Sequence, residues 1–172
     1  MADIFIDCEW VQGDYLTILG AYSPGQDRFQ LYGKKLTRNR FSRFLNRSSN
    51  RNPSRYTFLF CHGPDIGRIK RKFNLRLKQD WYCINTVTAF NDFTRFRARD
   101  LGHLERYFGL PRKYALSSYE ISNLWSSNNR RNRKIVLEYN WEDCMNLWRL
   151  VNILKTEYNV TRSDFKDIAM EP

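Results

Sequence analysis

The sequence predicts an α/β fold, with a mixed five-stranded central sheet and helices on both of its faces. Three strand-like segments follow one another at the start of the chain, and beyond them apolar strands alternate with segments of helical periodicity. This order places antiparallel and parallel strands in one sheet. The chain has 172 residues, of which 42% are hydrophobic. We therefore expect one domain over residues 1–172.

The first half of the sheet is predicted to be an antiparallel meander. Strand patterns cover residues 3–10, 15–23 and 28–36. The turn-forming residues SPGQD at 23–27 separate the last two of these strands. TFLF at 57–60 is apolar throughout, which is typical of a strand in the middle of a sheet. DWYCINT at 80–86 is predicted to be the fifth strand.

Helical segments are predicted between and after these strands. They cover about 38–47, 66–74, 101–109, 119–127 and 135–158. Apolar residues recur at helical spacing along the last of them, from Val136 to Leu154. The polar, basic segments 48–55 and 126–134 are predicted to be loops that become ordered on substrate. The tail 159–172 is expected to pack through Phe165 and Ile168, without an assigned element.

The chain carries a net charge of +11, and its basic residues are clustered. No acidic residue occurs from Arg28 to Pro64, and two further basic clusters lie at 68–78 and 130–134. The basic residues of the acid-free stretch are Arg28, Lys34, Lys35, Arg38, Arg40, Arg43, Arg47, Arg51 and Arg55. One such run is typical of a solvated surface, whereas three together favour a polyanionic partner.

An anionic membrane surface is the alternative partner for the basic segment 38–47. Phe41, Phe44 and Leu45 share one face of that predicted helix, although packing in the core explains them more simply. No apolar run approaches the ~20 residues of a membrane span, and the N-terminus has no signal-peptide pattern. We therefore expect a cytoplasmic protein with no membrane partner.

The four cysteines are predicted to be buried free thiols. Cys8, Cys61, Cys83 and Cys144 are scattered singly along the chain and lack the spacing of a zinc site. A free thiol behaves as a small hydrophobic group in strands and helices.

Four acidic residues occupy positions that the surrounding apolar pattern predicts to be buried. Asp7 and Glu9 of IFIDCEW (4–10) stand two residues apart in a strand, so both point to one face of the sheet. Asp65 follows the apolar strand TFLF and is either a helix N-cap or a functional group at the carboxyl end of that strand. Asp143 lies four residues before Leu147 on the inward stripe of the last helix. The structural alternatives for Asp143 are a salt bridge to an arginine and an exposed position at the boundary of the stripe.

If the four carboxylates converge, they cannot all stay ionised without cations. Mg²⁺ and Mn²⁺ are the hard divalent ions that oxygen ligands favour. Two such ions about 4 Å apart hold the attacking water and the leaving oxygen in phosphodiester hydrolysis. The acidic positions and the basic clusters therefore independently indicate chemistry on nucleic acid.

Three motifs resemble those of the DEDDy exonucleases, which belong to the ribonuclease H-like superfamily. They are D-x-E in IFIDCEW, a lone Asp in FCHGPD and Y-x-x-x-D in EYNWED. The predicted order β-β-β-α-β-α-β-α is the ribonuclease H-like arrangement. YNWEDCMNLWRL and LGHLERYFGLPRK further resemble the small predicted ribonuclease H-like exonuclease domains of bacteria and archaea. The resemblance covers about residues 3 to 154.

The resemblance implies a role for each matching residue. Asp7, Glu9, Asp65 and Asp143 would ligate two Mg²⁺ or Mn²⁺ ions, and Tyr139 would orient the attacking water. The histidine subclass carries its histidine five residues before the last Asp, where this chain has Glu138. The resemblance therefore implies the tyrosine subclass.

The function implied by the resemblance is 3′–5′ exonuclease activity on single-stranded DNA or RNA ends, with release of nucleoside monophosphates. Two alternatives stay open: a ribonuclease H-like, structure-selective endonuclease, and a non-catalytic nucleic-acid-binding subunit. In each of these cases, a larger nucleic-acid-processing assembly is a possible partner. Candidate nucleic-acid contacts come from the HGP turn and two basic clusters, and they are His62, Arg68, Lys72, Arg130, Arg131 and Arg133.

Overall fold

The computed structural model describes residues 3–11, 15–51 and 56–170, and these residues form one mixed five-stranded sheet. The strands are β1 (Asp3–Val11), β2 (Tyr15–Tyr22), β3 (Phe29–Tyr32), β4 (Thr57–Cys61) and β5 (Trp81–Asn85). Their spatial order is β3-β2-β1-β4-β5. β1, β2 and β3 pair antiparallel, whereas β1, β4 and β5 pair parallel. The predicted mixed sheet is confirmed.

Seven α-helices lie in the described part of the chain. They are α1 (Arg38–Arg51), α2 (Asp65–Phe73), α3 (Thr86–Phe93), α4 (Leu101–Tyr107), α5 (Ser118–Ser126), α6 (Arg130–Glu157) and α7 (Arg162–Asp167). Helices cover both faces of the sheet, as predicted. No helix among the described residues combines the length and the apolar character that crossing a membrane requires.

The alternation of side chains along β1 divides the core into two layers. Ile4, Ile6 and Cys8 pack in the layer that contains α1 and α2. Phe5 packs in the opposite layer, with buried residues of α3, α4, α6 and α7. The four cysteines, all within the described residues, are buried free thiols, which confirms that prediction. Asp7 and Glu9 therefore emerge on the α6 side of the sheet, opposite Cys8.

Parts of the two segments predicted to be loops, 48–55 and 126–134, are helical instead, whereas residues 127–129 do form a loop. α1 continues beyond residue 47 to Arg51, and tertiary contacts hold this stretch: Gln26 Nε2 donates to the buried Ser48 hydroxyl, and Ser49 Oγ is hydrogen-bonded to Thr57 Oγ1 of β4. The remainder of the predicted loop, residues 52–55, lies outside the described residues. α6 begins at Arg130, because the Asn129 side chain accepts hydrogen bonds from the first backbone N–H groups. The basic RRNRK segment is thus the first turn of a helix.

Other boundaries also differ from the prediction. β3 ends at Tyr32, because Gly33 takes a positive φ of 53° and starts a short 3-10 turn. α3 was not predicted, since it follows β5 directly and Asn85 caps it without an intervening Gly or Pro. α7 supplies the missing element of the tail, and Phe165 is fully buried, as expected.

Candidate active site

Three carboxyl groups meet on the α6 side of the sheet. One oxygen atom from each of Asp7, Glu9 and Asp143 lies within 4.8 Å of the others. The strand period of β1 turns Asp7 and Glu9 to this face, and the helical period of α6 turns Asp143 towards them. All three residues are buried, with exposed fractions of 7%, 6% and 4% respectively.

A β-bulge shapes the end of β1 that carries Glu9. The pairing register with β2 shifts between Glu9 and Trp10, which leaves Thr17 as the extra residue on β2. The Thr17 hydroxyl donates to the Glu9 carbonyl over 2.9 Å. Bulges beside active sites change the direction of neighbouring side chains. Here the bulge lies between Glu9, whose side chain is on one face of the sheet, and Trp10, whose side chain is on the other face.

Asp65 stands outside the group of three and is fixed by a different partner. It is the first residue of α2, directly after Pro64, which occupies the N-cap position without a side-chain bond. The N-cap interpretation of Asp65 is therefore wrong. Its carboxylate accepts a hydrogen bond from Trp10 Nε1 over 3.0 Å, and it lines the same cleft as the other three acids.

Asn140 holds Asp7 in place from α6. Its Nδ2 donates to Asp7 Oδ2 over 2.8 Å and to the Asp7 carbonyl over 3.1 Å. Its Oδ1 accepts from Gln30 Nε2 on β3 over 2.8 Å. Gly20, the β2 partner of Asp7, makes this approach possible, because a Cβ there would lie 2.3 Å from Asn140 Oδ1. A hydrogen-bond chain thus runs from β3 through α6 to Asp7.

Arg112, on the loop between α4 and α5, binds two acids at once. Its guanidinium forms ion pairs with Asp143 and with the buried Glu105 of α4. Glu105 also accepts from Asn146 Nδ2 over 2.7 Å. The arginine partner that was one of the structural alternatives for Asp143 therefore exists. It stands beside the acidic group, so a salt bridge and a site at Asp143 are compatible.

The loop that carries Arg112 is fastened to α6 by two further acids. Glu138 accepts hydrogen bonds from Lys113 Nζ and Tyr114 Oη, and Glu142 accepts from the Lys113 backbone N–H. Arg112 lies 4.7 Å from the centre of the Tyr139 ring. Glu138 thus anchors this loop to α6.

Burial raises the pKa of all four carboxyl groups of the cleft. The pKa of Asp7 rises to about 6, although the hydrogen bond from Asn140 opposes the rise, and that of Asp65 rises to about 8. Burial and the charge of Asp7 hold the pKa of Glu9 and that of Asp143 well above their ordinary range. A bound cation would favour the ionised forms of such groups.

The donor set fits a hard divalent ion. The three converging side chains offer only carboxylate oxygens, the ligands that Mg²⁺ and Mn²⁺ prefer. Glu9 Oε1 is buried and has no hydrogen-bond partner among the described residues. A buried carboxylate oxygen without a partner is costly unless a cation or donor satisfies it. Asp7, Glu9 and Asp143 are therefore suited to metal binding, with Asp65 at the margin.

The acids open into a cleft of ≈ 930 Å³ between α2, α4, α5 and α6. His62 and Arg68 line it, and Arg68 lies 5.2 Å from the centre of the Trp10 ring. Burial lowers the pKa of His62, so its imidazole is neutral at pH 7. Tyr139 lines the cleft beside Asp143, and burial raises the pKa of its hydroxyl.

The remaining candidate contacts lie elsewhere. Within the described residues, the cleft lining does not include Lys72, Arg130, Arg131 or Arg133. Lys72 lies 5.2 Å from the centre of the Tyr15 ring. The three arginines lie in the first turn of α6, where Arg133 Nε donates to the Trp125 carbonyl.

Sequence reasoning missed Glu105, Arg112 and Asn140. Asn140 directly follows Tyr139, and its place on the inward stripe of α6, three residues before Asp143, was a usable signal. Glu105 occupies a core-facing position of α4, which similarly marks a buried acid that needs a partner. Arg112 lies in a loop and carries no periodic signal.

Comparisons with known proteins agree with this architecture. A family model described as "RNase_H superfamily" matches residues 4–155. The chain is 36% identical over 67 residues to DNA polymerase 3 of Saccharolobus solfataricus, an alignment that covers 36% of the chain and 8% of that protein. Its fold resembles a family B DNA polymerase from the hyperthermophilic archaeon Pyrobaculum calidifontis, with a TM-score of 0.65 and 11% identity.

The structural match covers 88% of this chain but 24% of the polymerase chain. The chain therefore spans a small part of the length of both polymerases. At this level of identity the structural likeness shows a shared fold.

Proposed function

The chain belongs to the RNase H superfamily, and from this premise we propose that it is a metal-dependent 3′–5′ exonuclease of the DEDDy type. Its substrates would be single-stranded or frayed ends of nucleic acid. The observation that carries this proposal is the buried group of Asp7, Glu9 and Asp143, with Tyr139 beside it in an open cleft. Both polymerases that the chain resembles are DNA polymerases by name, which supports nucleic acid as the substrate class.

Four carboxylates would hold the metal. Asp7, Glu9, Asp65 and Asp143 would ligate two Mg²⁺ or Mn²⁺ ions. Such ions, when bound, activate water for attack on a phosphodiester and offset the charge that develops on the transferring phosphate.

The protein's own side chains position the reactants around these carboxylates. Tyr139 keeps its proton because burial raises its pKa, so its hydroxyl can hydrogen-bond the attacking water. Asn140 fixes the Asp7 carboxylate through Oδ2. Arg112 contacts both Tyr139 and Asp143 and so orders this side of the cleft.

Contacts to the substrate strand would come from the cleft walls and from basic residues beyond it. His62 offers a neutral imidazole, and its Nδ1 is buried without a hydrogen-bond partner among the described residues. Arg68 offers a cation to a phosphate at the cleft margin. Lys72, Arg130, Arg131 and Arg133 would bind phosphates outside the cleft.

The direct test is degradation of end-labelled DNA and RNA strands, with Mg²⁺, Mn²⁺ or a chelator in parallel. We expect rapid release of a 3′ label as mononucleotide, and a ladder of shortened products from a 5′-labelled strand. The activity should depend on the divalent ion. Internal cuts in the 5′-labelled strand would instead identify an endonuclease, and binding without cleavage would identify a binding subunit.

Substitution of single acids tests the site itself. Loss of a residue that hydrogen-bonds a metal ligand typically reduces activity roughly 10–100-fold. Asp7→Asn and Asp143→Asn remove the proposed ligands themselves, so each should reduce the rate by more than this. Asp80→Asn changes an exposed turn residue in the same way and should retain full activity. Full activity of both site variants, with intact folds, would contradict the proposal.

A further inference from the structure

We propose that a second groove, formed by β3 and α1 and separate from the acidic cleft, binds the phosphodiester backbone of nucleic acid. This basic groove has a volume of ≈ 520 Å³ and shares no lining residue with the cleft among the described residues. Its lining comprises Arg28, Phe29, Gln30, Leu31, Lys35, Arg40, Arg43, Phe44 and Arg47. The proposal adds a surface for the substrate class of the proposed function, and it rests on that function for the identity of the polymer.

Four cations of the groove have no internal counter-charge. Lys35, Arg40, Arg43 and Arg47 are exposed, and none of them forms an ion pair with a described residue. Like charges three or four residues apart on a helix destabilise it. Arg40, Arg43 and Arg47 have this spacing on α1, and their stretch of the chain contains no acid. A bound polyanion would remove the repulsion.

The spacing of the arginines fits a strand of nucleic acid. Arg40 and Arg47 are seven residues apart, which is roughly 10 Å along a helix axis. The rise per phosphate is about 3.4 Å along the axis of a duplex and is larger in an extended single strand, so the row can follow about two to three successive phosphates. Phe29 and Phe44 stack beneath the row, with ring centres 4.1 Å apart, and form its apolar floor.

The same helix is poorly suited to a membrane surface. An amphipathic helix binds lipid by inserting its apolar face below the headgroups. Phe41, Phe44 and Leu45 supply the apolar face of α1, and their exposed fractions are 1%, 2% and 0%. The face that α1 presents to solvent is therefore basic and polar, which favours a hydrated polyanion over a bilayer.

The groove is also connected to the acidic cleft through hydrogen bonds. Gln30 lines the groove and donates to Asn140, which donates in turn to Asp7. Arg28 donates to Gln30 Oε1 and to the Leu137 carbonyl of α6. The strand that carries the groove is thereby held against the helix that carries Asp143, so the groove has a fixed position relative to the cleft.

Binding measurements on two lengths of strand test this proposal. We would compare the natural protein with Arg40→Gln/Arg43→Gln/Arg47→Gln and with a charge-matched control, Arg76→Gln/Arg95→Gln/Lys166→Gln. The control residues are exposed and line neither the groove nor the cleft. Fluorescence anisotropy with single strands of about 30 and about 4 nucleotides would be recorded in chelator over a range of salt.

The groove variant should bind the long strand at least about tenfold more weakly than the control does at low salt. Loss of three phosphate contacts should also reduce the slope of log affinity against log salt by about 2. The short strand can contact the groove or the cleft but cannot span both, so the groove variant should weaken its binding by a smaller factor than it weakens binding of the long strand. Thermal unfolding would confirm that both variants fold.

Three results would overturn the proposal. They are equal weakening by groove and control variants, equal weakening for short and long strands, and binding to anionic vesicles with none to either strand. Because chelator prevents metal-dependent cleavage, the binding result does not depend on activity. Hydrolysis of the short strand with Mn²⁺ separately tests the proposed function, so failure of one proposal is distinguishable from failure of the other.

Discussion

Asn140 reaches Asp7 only because β2 has a glycine opposite Asp7. A Cβ on residue 20 would lie 2.3 Å from Asn140 Oδ1 and 2.9 Å from Cys144 Sγ. Neither neighbour has room to move freely, since both Asn140 and Cys144 are fully buried. A residue without a side chain therefore determines how tightly α6 approaches the acidic group.

Gly20→Ala should destabilise the fold and weaken the site together. We expect a loss of about 1–3 kcal/mol in the free energy of unfolding, as for other overpacked positions. Displacement of Asn140 should lower Mn²⁺ affinity roughly 10–100-fold. Gly67→Ala is the control, because nothing lies within 4 Å of its added Cβ on the exposed side of α2. It should stabilise by about 0.4–1 kcal/mol. Equal effects of the two substitutions in denaturant unfolding would contradict this account of Gly20.

Arg112 is a cation of the chain itself that offsets part of the negative charge of Asp7, Glu9 and Asp143. It pairs with Asp143 and Glu105, whose side chains are exposed by only 6% and 3%. Burial opposes the charge of Arg112, but the two carboxylates outweigh that effect and raise its pKa. Removal of Arg112 would leave two buried acids without their cationic partner.

Arg112→Gln should cost about 3–5 kcal/mol of unfolding free energy, measured in chelator. Mn²⁺ should restore part of this loss and should stabilise the variant more than the natural protein, in which Arg112 already offsets the charge of Asp143. Arg149→Gln is the control, since Arg149 bonds the neutral Asn146 Oδ1 and its loss should cost about 1 kcal/mol. If Mn²⁺ raised the melting temperature of both variants equally, the counter-charge explanation for Arg112 would be wrong.

Site residues could be predicted where a local sequence pattern places them, and could not where their position depends on a contact distant in sequence. Asp7 and Glu9 were recognisable because the strand period places both on one face, and Asp143 because the helical period places it inward. Asp65 was located at the correct strand end, but its partner Trp10 lies 55 residues away in sequence. Arg112 depends on a contact 31 residues distant, with Asp143, which no local pattern encodes.

At the scale of elements, α6 begins with an unfavourable charge pattern. Its first turn contains Arg130 and Arg131 and no acid, although a helix N-terminus carries partial positive charge. Asn129 compensates by accepting from two backbone N–H groups. The retained cations are consistent with the proposed contact to phosphates outside the cleft.

Arg130→Glu/Arg131→Glu should therefore stabilise the protein while it weakens nucleic-acid binding. We expect a gain of about 1 kcal/mol, or roughly 2–4 °C in melting temperature. The control is Arg76→Glu/Arg95→Glu, which changes charge equally at exposed positions outside the helices. No difference in melting temperature between the two variants would contradict the helix-terminus explanation.

Helices and strands were predictable where the periodic pattern extends over many residues. They were less predictable where a single capping side chain sets the boundary. All five strands and the long helix α6 were located from their patterns, whereas the start of α6 depends on the Asn129 cap. The short helix α3 escaped prediction because the Asn85 cap lets it follow β5 without a turn. α7 escaped because its six residues carry too little periodic signal.

At the scale of the whole molecule, positive charge predominates overall, whereas the acids of the cleft are buried. The net charge of +11 attracts a polyanion over long range. The buried acids would repel a phosphate at short range, and bound divalent ions would reverse that local field. Chemistry on a polyanionic substrate therefore requires that the acidic group binds metal.

Calorimetric titration of Mn²⁺ into the protein, without nucleic acid, tests this claim most directly. We predict saturable binding to the natural protein and a loss of more than about 100-fold in affinity for Asp7→Asn. Thermal unfolding of the variant in chelator would show that its fold is intact. Absence of Mn²⁺ binding to the natural protein, or equal binding to a folded Asp7→Asn variant, would contradict the claim.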